Sequence, residues 1–187
     1  NPFYLFNLFM HDFDIDSGIS NRYAYEPNKI KLYSSRKFAK KNFDVLLTMF
    51  NSLETLKIVN EELKNNSKRK IKIYNPVHIV VKDSKSEANE FYDEYSNKNQ
   101  DVKAVDNFIK NLQWSNKKIL ASYLKQMKQR VSGSLGSYTI IGDKKLVLEQ
   151  INTIYKSKTD GLAMTFFDYS KDFKFFKNYL LDKIRKF

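Results

Sequence analysis

The sequence predicts an α/β fold built on a parallel sheet, and three observations carry that reading. Short apolar runs of strand length alternate with longer stretches of helical periodicity. The alternation repeats four times, and βα units in series call for parallel strands joined by helical crossovers, right-handed by the usual rule. Only three prolines and five glycines punctuate the 187 residues, and no linker divides them, so a single domain is expected.

Residues 1–29 read as an upstream connecting segment. The first unit opens on Ile30-Lys31-Leu32-Tyr33 and continues into a short helical stretch over residues 36–42. Asp44-Val45-Leu46-Leu47-Thr48 is the second strand. Its helix, over residues 52–65, carries Leu53, Leu56, Val59 and Leu63, with neighbouring Ile58, as one apolar stripe. The third strand lies within residues 71–81. Pro76 interrupts it, since proline cannot donate to a sheet ladder, and the well-formed part is expected at residues 77–81. Ser84 and Glu87 then match a capping box, in which hydroxyl and carboxylate satisfy each other's free backbone N–H groups. Helix is expected from there to about Tyr95, and again across much of residues 102–130. A small-residue loop, Ser132-Gly133-Ser134-Leu135-Gly136-Ser137, precedes Tyr138-Thr139-Ile140-Ile141-Gly142. Asp143 is placed to cap a helix carrying Leu146, Val147, Ile151 and Ile154. The fourth unit joins Asp160-Gly161-Leu162-Ala163-Met164-Thr165-Phe166 to an amphipathic helix from Tyr169 to the end.

Composition removes several functions. With no cysteine, disulfide scaffolds, thiolate metal sites, iron–sulfur clusters and cysteine nucleophiles are excluded, and a reducing, cytoplasmic setting is expected. No run approaches the ~18 apolar residues of a membrane span. The apolar start at residues 2–10 lacks the basic region and small-residue cleavage site of a signal peptide. The net charge of +12 invites nucleic acid as a partner. Yet only Arg22, Arg36, Arg69, Arg130 and Arg185 are arginine, the residue whose fork suits phosphate. The lysines travel with abundant asparagine and isoleucine, as A/T-rich coding would produce. The densest basic run, Lys64 to Lys72, fits a solvated helix end and loop. Nucleic acid is therefore not the expected partner.

Two stretches resemble a known family. The first runs Phe38-Ala39-Lys40-Lys41-Asn42-Phe43-Asp44-Val45-Leu46-Leu47-Thr48, then Tyr74-Asn75-Pro76-Val77-His78-Ile79-Val80-Val81 and Asp83-Ser84-Lys85-Ser86-Glu87-Ala88. It is similar to the FA…ADVVFT and VHVVVGDT-x-x-EA progression of bacterial-luciferase-like flavin monooxygenases, nearest to the pyrimidine, alkanesulfonate and nitrilotriacetate branch. The second runs from Ile140 through Val147, then Thr159-Asp160-Gly161-Leu162 and Phe167-Asp168-Tyr169. It resembles that family's closing LVGTPE-x-VA, G-V-D-G-F and F-x-D-Y motifs. The order holds over about residues 30–187. The resemblance implies a (β/α)8 TIM barrel that takes reduced FMN from a separate flavin reductase and oxygenates a small organic substrate with O2, the protein being a homo-oligomer. A complete barrel needs about 250 residues. The chain is accordingly expected to be the C-terminal half of such a barrel, one partial domain without most of the flavin-ring pocket and inactive alone. A non-catalytic flavin-binding or structural relative is the alternative, and a basic nucleic-acid-binding domain comes third. A start at Asn1 fits a partial reading frame, a processed product or a chosen boundary.

The resemblance points to Ser35, with Ser34, as the contact for the FMN phosphate, because hydroxyl and N–H groups at a helix start favour an anion. A simple helix cap is the competing role for the pair, and Tyr33 stands where the family's turn has glycine. Other candidates read as structural. His11, Asp12, Asp14 and Asp16 suggest a cation loop, but Ser17 and Tyr23 stand where an EF-hand needs glycine and glutamate. His78 sits among Val77, Ile79, Val80 and Val81 and is expected to be packed or hydrogen-bonded in its strand. The 132–137 loop lacks the Gly-Lys-Ser/Thr of a P-loop and is expected to be a flexible loop at the barrel mouth. Trp114, Phe166, Phe167, Phe173, Phe175 and Phe176 are expected to be core.

Overall fold

The computed structural model describes residues 43–65, 70–113 and 121–187. The expected strand at 30–33, the helix at 36–42, Ser34 and Ser35, the acidic run at 11–16, Trp114 and the middle of the 64–72 basic run lie outside them. The described elements are, in order, β1 (Val45–Leu47), α1 (Leu53–Asn65), β2 (Lys72–Val81), α2 (Lys85–Asp93) with a π-helical continuation (Glu94–Lys98), α3 (Val102–Gln113), α4 (Ala121–Ser134), β3 (Tyr138–Gly142), α5 (Lys144–Tyr155) and β4 (Gly161–Thr165). A terminal helix, α6, spans residues 169–184 and includes two π-helical turns.

All described strands run parallel, and β2 is paired by each of the others. Tyr74 faces both Leu47 of β1 and Gly161 of β4, while Val77 faces both Tyr138 of β3 and Met164 of β4. A residue has only two lateral neighbours, so β4 lies along one edge of β2, and β1 and β3 share the other edge end to end. The order β1–β2–β4 follows the chain as the sequence predicts. The Tyr138–Gly142 run, left outside the count of βα units, adds a further strand.

This arrangement also explains why Pro76 does not break β2. Ile73 accepts from the Asp160 N–H at 2.8 Å, so odd-numbered residues of β2 turn their backbone groups toward β4. Even-numbered residues turn theirs the other way: Lys72 donates to Asp44 O and Tyr74 accepts from the Thr48 N–H. Pro76 therefore presents its missing N–H to the seam where β1 has ended and β3 has not begun, and no ladder bond is lost there.

Side chains alternate across the sheet. Val77, Ile79 and Val81 of β2, with Ile140 and Phe166, meet Leu56 of α1, Val147, Ile151 and Ile154 of α5, and Phe176 and Leu180 of α6. These are the connecting helices of the βα units, so this is the outer face. Full burial of each large apolar side chain stabilises the fold by roughly 1.5–3 kcal/mol. One polar knot lies on this face. Asn75 donates to the Thr48 carbonyl (2.8 Å) and hydroxyl (2.9 Å), and accepts from the Thr159 hydroxyl and, at 3.4 Å, from Asn60 Nδ2. Asn60 Nδ2 also donates to Ser157 O at 3.0 Å.

The inner face is covered differently. The insertion between β2 and β3 folds back so that Ala88 and Tyr92 of α2 pack on Val80, with Phe91, Tyr95 and Ile141 around them. Helix α4 closes tightly behind: a Cβ on Gly133 would come within 2.7 Å of the Tyr92 ring and 2.9 Å of Ser96 Cβ. Arg130 fixes this helix to the exit of β1, donating to Phe50 O and Gly136 O, both at 2.9 Å, while Phe50 stacks on Tyr138. The 132–137 segment is thus no flexible loop at the C-terminal mouth. Helix α4 continues through Ser134, and the turn at Leu135–Gly136 leads into the start of β3. Ser134 and Ser137 are buried, and the Ser134 hydroxyl donates to Arg130 O at 2.8 Å.

Candidate functional site

In barrels of βα units, chemistry gathers at the C-terminal ends of the strands. Here that end collects His78 of β2 and Lys82 just beyond it, Thr165 of β4 with Phe167 just beyond it, Phe91 and Tyr95 from the inserted helix, and Asp172 from α6. His78 is 4% exposed, and both ring nitrogens are engaged. Nδ1 lies 3.0 Å from the Thr165 hydroxyl and Nε2 lies 2.7 Å from the Tyr95 hydroxyl. Burial pulls the imidazole down to about 4, against a smaller opposing pull from Asp172. It is neutral at physiological pH and has no free nitrogen, so it is a packed, hydrogen-bonded strand residue, as its neighbours in sequence predict. The Tyr95 hydroxyl is pushed well above its ordinary range, chiefly by burial.

Around this chain lies an aromatic shelf. Tyr95 stacks on Phe167 with centroids 4.4 Å apart, Phe91 meets both edge-on, and Phe167 remains 56% exposed. Lys82 Nζ sits 4.0 Å from the Phe91 centroid and donates to Asp172 Oδ1 at 3.0 Å. The other Asp172 oxygen accepts from the Asp168 N–H. Of the aromatics expected in the core, Phe166 and Phe176 are buried, whereas Phe167 and Phe173 are largely exposed at this end. Helical and strand spacing could not separate the two pairs, because exposure at a strand end depends on which segment folds back over it.

An FMN phosphate needs free N–H donors and unpaired positive charge. Three described helix starts at this end are already closed by their own residues. Glu87 N–H donates to Ser84 Oγ (3.1 Å), Leu146 N–H to Asp143 Oδ1 (2.9 Å), and Ser170 N–H to Asp168 Oδ1 (2.8 Å). Two of those three caps are carboxylic side chains. The Ser170 hydroxyl and the Lys171 N–H hold the Asp168 carboxyl below its ordinary value. Lys82 and Lys144 each lie against an aspartate, Asp172 and Asp83. At these three helix starts the phosphate finds no free cradle. Ser34 and Ser35, which sequence assigned to it, lie outside the described residues. Among the described residues no cluster of metal-ligating side chains occurs, and no helix is long and apolar enough to cross a membrane.

No family model and no curated protein sequence matches the chain. Solved structures do. The chain overlays DmoA from Hyphomicrobium sulfonivorans with a TM-score of 0.66 at 15% identity, covering 84% of this chain and 40% of that one. Long-chain alkane monooxygenase LadA gives 0.60 at 16% identity over 83% and 40%. EDTA monooxygenase EmoA from Chelativorans sp. BNC1 gives 0.61 at 12% over 81% and 42%. The fold, a parallel sheet flanked by helices, is that of part of each of these structures. The chain spans about 40% of the length of the structures it matches.

Proposed function

We propose that this chain is the C-terminal half of a luciferase-like monooxygenase, which in its full length oxygenates a small organic substrate with O2 and reduced FMN from a separate flavin reductase. The single observation that supports it is the likeness of fold over 84% of the chain, reached independently of the motif order in the sequence. In this reading the flavin phosphate is held at Ser35 and Ser34, the missing strands supply the ring pocket, and the cytoplasmic protein is a homo-oligomer. The isolated chain is inactive.

A non-catalytic, structural relative is favoured by one observation: His78 has both nitrogens engaged, and three described helix starts at this end are capped by their own side chains. A basic nucleic-acid-binding domain remains the third reading; of the described lysines, Lys64, Lys82, Lys128 and Lys158 each pair with a carboxylate.

Titration of FMN, followed by flavin fluorescence, tests the proposal on the 187-residue chain and on a chain extended by the coding sequence immediately upstream of Asn1. Tight binding and reductase-dependent O2 uptake are expected only with the extension. An upstream sequence without four βα units would overturn the proposal. So would micromolar binding by the short chain that survives Ser35→Ala.

A further inference from the structure

We propose that Tyr95, His78 and Thr165 form a proton-sensitive clasp that holds the inserted helix α2 on the inner face of the sheet. The inference stands apart from any flavin chemistry. Its basis is a single-file run of hydrogen bonds. The Thr165 hydroxyl reaches the Val77 carbonyl at 3.4 Å and His78 Nδ1 at 3.0 Å, and His78 Nε2 meets the Tyr95 hydroxyl at 2.7 Å. If Thr165 donates to the carbonyl, it must accept from His78 Nδ1–H. His78 Nε2 then has only a lone pair to offer, and Tyr95 O–H donates to it. Each link carries one hydrogen, and with that donor assignment the chain runs from the insertion to the two strands.

A second proton on the imidazole turns Nε2 into a donor facing a donor. Tyr95 must then swing its hydrogen away while a cation sits in a buried site. Among the described residues, the titratable groups that bear on His78 are Tyr95 of the insertion, bonded to its Nε2, and Asp172 of α6, which favours the charged ring. Tyr92 adjoins Tyr95 in turn. Asp172 is already engaged by Lys82 and by the Asp168 N–H. Tyr95 also sits in a π-helical turn, Glu94–Lys98, a rare backbone form that occurs mostly as single turns within α-helices, frequently at functional sites. That turn places the hydroxyl on His78 and the ring on Phe167 together.

NMR of the 187-residue chain between pH 7 and pH 3.5 tests the clasp. The sequence has two histidines, His11 and His78, so the ring signals are readily assigned with a His11→Gln variant. The expected result is an Nδ1–H tautomer for His78 with a midpoint near its lowered value of about 4. Amide signals of residues 94–98 should change with that midpoint while those of β2 and β3 hold. Tyr95→Phe should speed amide exchange of residues 94–98 about tenfold at neutral pH, as loss of one hydrogen bond does. If Tyr95→Phe does not fold, Thr165→Val is expected to switch the tautomer or free it. The clasp is overturned if His78 titrates in the ordinary histidine range, if residues 94–98 and the strands change together, or if these variants leave exchange and tautomer unaltered.

Discussion

The two faces of β2 each bury one polar side chain, and they do it by opposite means. On the outer face Asn75 is bonded by Thr48, Thr159 and Asn60, all neutral groups from the flanking strands and helix. On the inner face His78 is bonded by Thr165 and Tyr95, and its burial holds only while the ring is uncharged. The outer knot therefore fixes the register of β1, β2 and β4 at any pH. The inner chain holds an inserted helix whose attachment depends on one proton.

The largest effect should come from breaking the outer knot. Asn75→Leu leaves the Thr159 hydroxyl and the Asn60 amide buried with fewer partners, and should cost about 3–4 kcal/mol in urea unfolding, with all strands affected together. A change under about 1 kcal/mol would mean the knot is dispensable. Next in size is the pH dependence of the inner face. The imidazole lies at about 4 when folded against an ordinary value near 6.5, so the unfolded chain binds more protons between those limits. The stability from neutral His78 is fully present above about pH 6.5 and is lost as pH falls toward 4, by at most about 3 kcal/mol. Subtracting the same profile for His78→Gln isolates it, and identical profiles would remove His78 from the account.

Smaller effects sharpen the contrast between the helices. Ser84→Ala and Asp143→Ala each remove an N-cap and should each cost about 1 kcal/mol. Amide exchange should show only α2 loosened in the first and the outer layer loosened in the second. Least of all, Lys98→Ala breaks a solvent-exposed pair with Asp93 at 4.0 Å and should stay within about 0.5 kcal/mol in the same denaturation assay.

Much of the fold was legible because its signals are local. The Ser84 and Asp143 caps, the apolar stripe of α1 and the run of β4 each lie within a few residues, and each forms where expected, Ser84 capping through its own hydroxyl. Pro76 misled because a proline rule says nothing of a seam, which is visible only when β1 and β3 are placed on one edge. The candidate site was less legible. His78 was read as bonded, but Tyr95 is 17 residues away and Thr165 is 87, and no local pattern joins them. The π-helical turn that aims Tyr95 leaves no periodicity to find. Phe167 and Phe173 carry the same apolar signal as Phe166 and Phe176, and only the packing of α6 separates them.

The end-to-end sharing of one edge of β2 also sets an order in time. Thr48 and Asn75 are 27 residues apart, whereas Thr165 meets His78 across 87. Closing the shorter span costs less chain entropy, and contacts of long sequence separation slow the search for the native state. The parallel β1–α1–β2 unit is thus the natural nucleus. β3 and β4 dock on it later, from opposite sides, onto a template whose midpoint at Pro76 is already marked. Substitutions in β1 and α1 should then slow refolding, while those in β4 should mainly hasten unfolding.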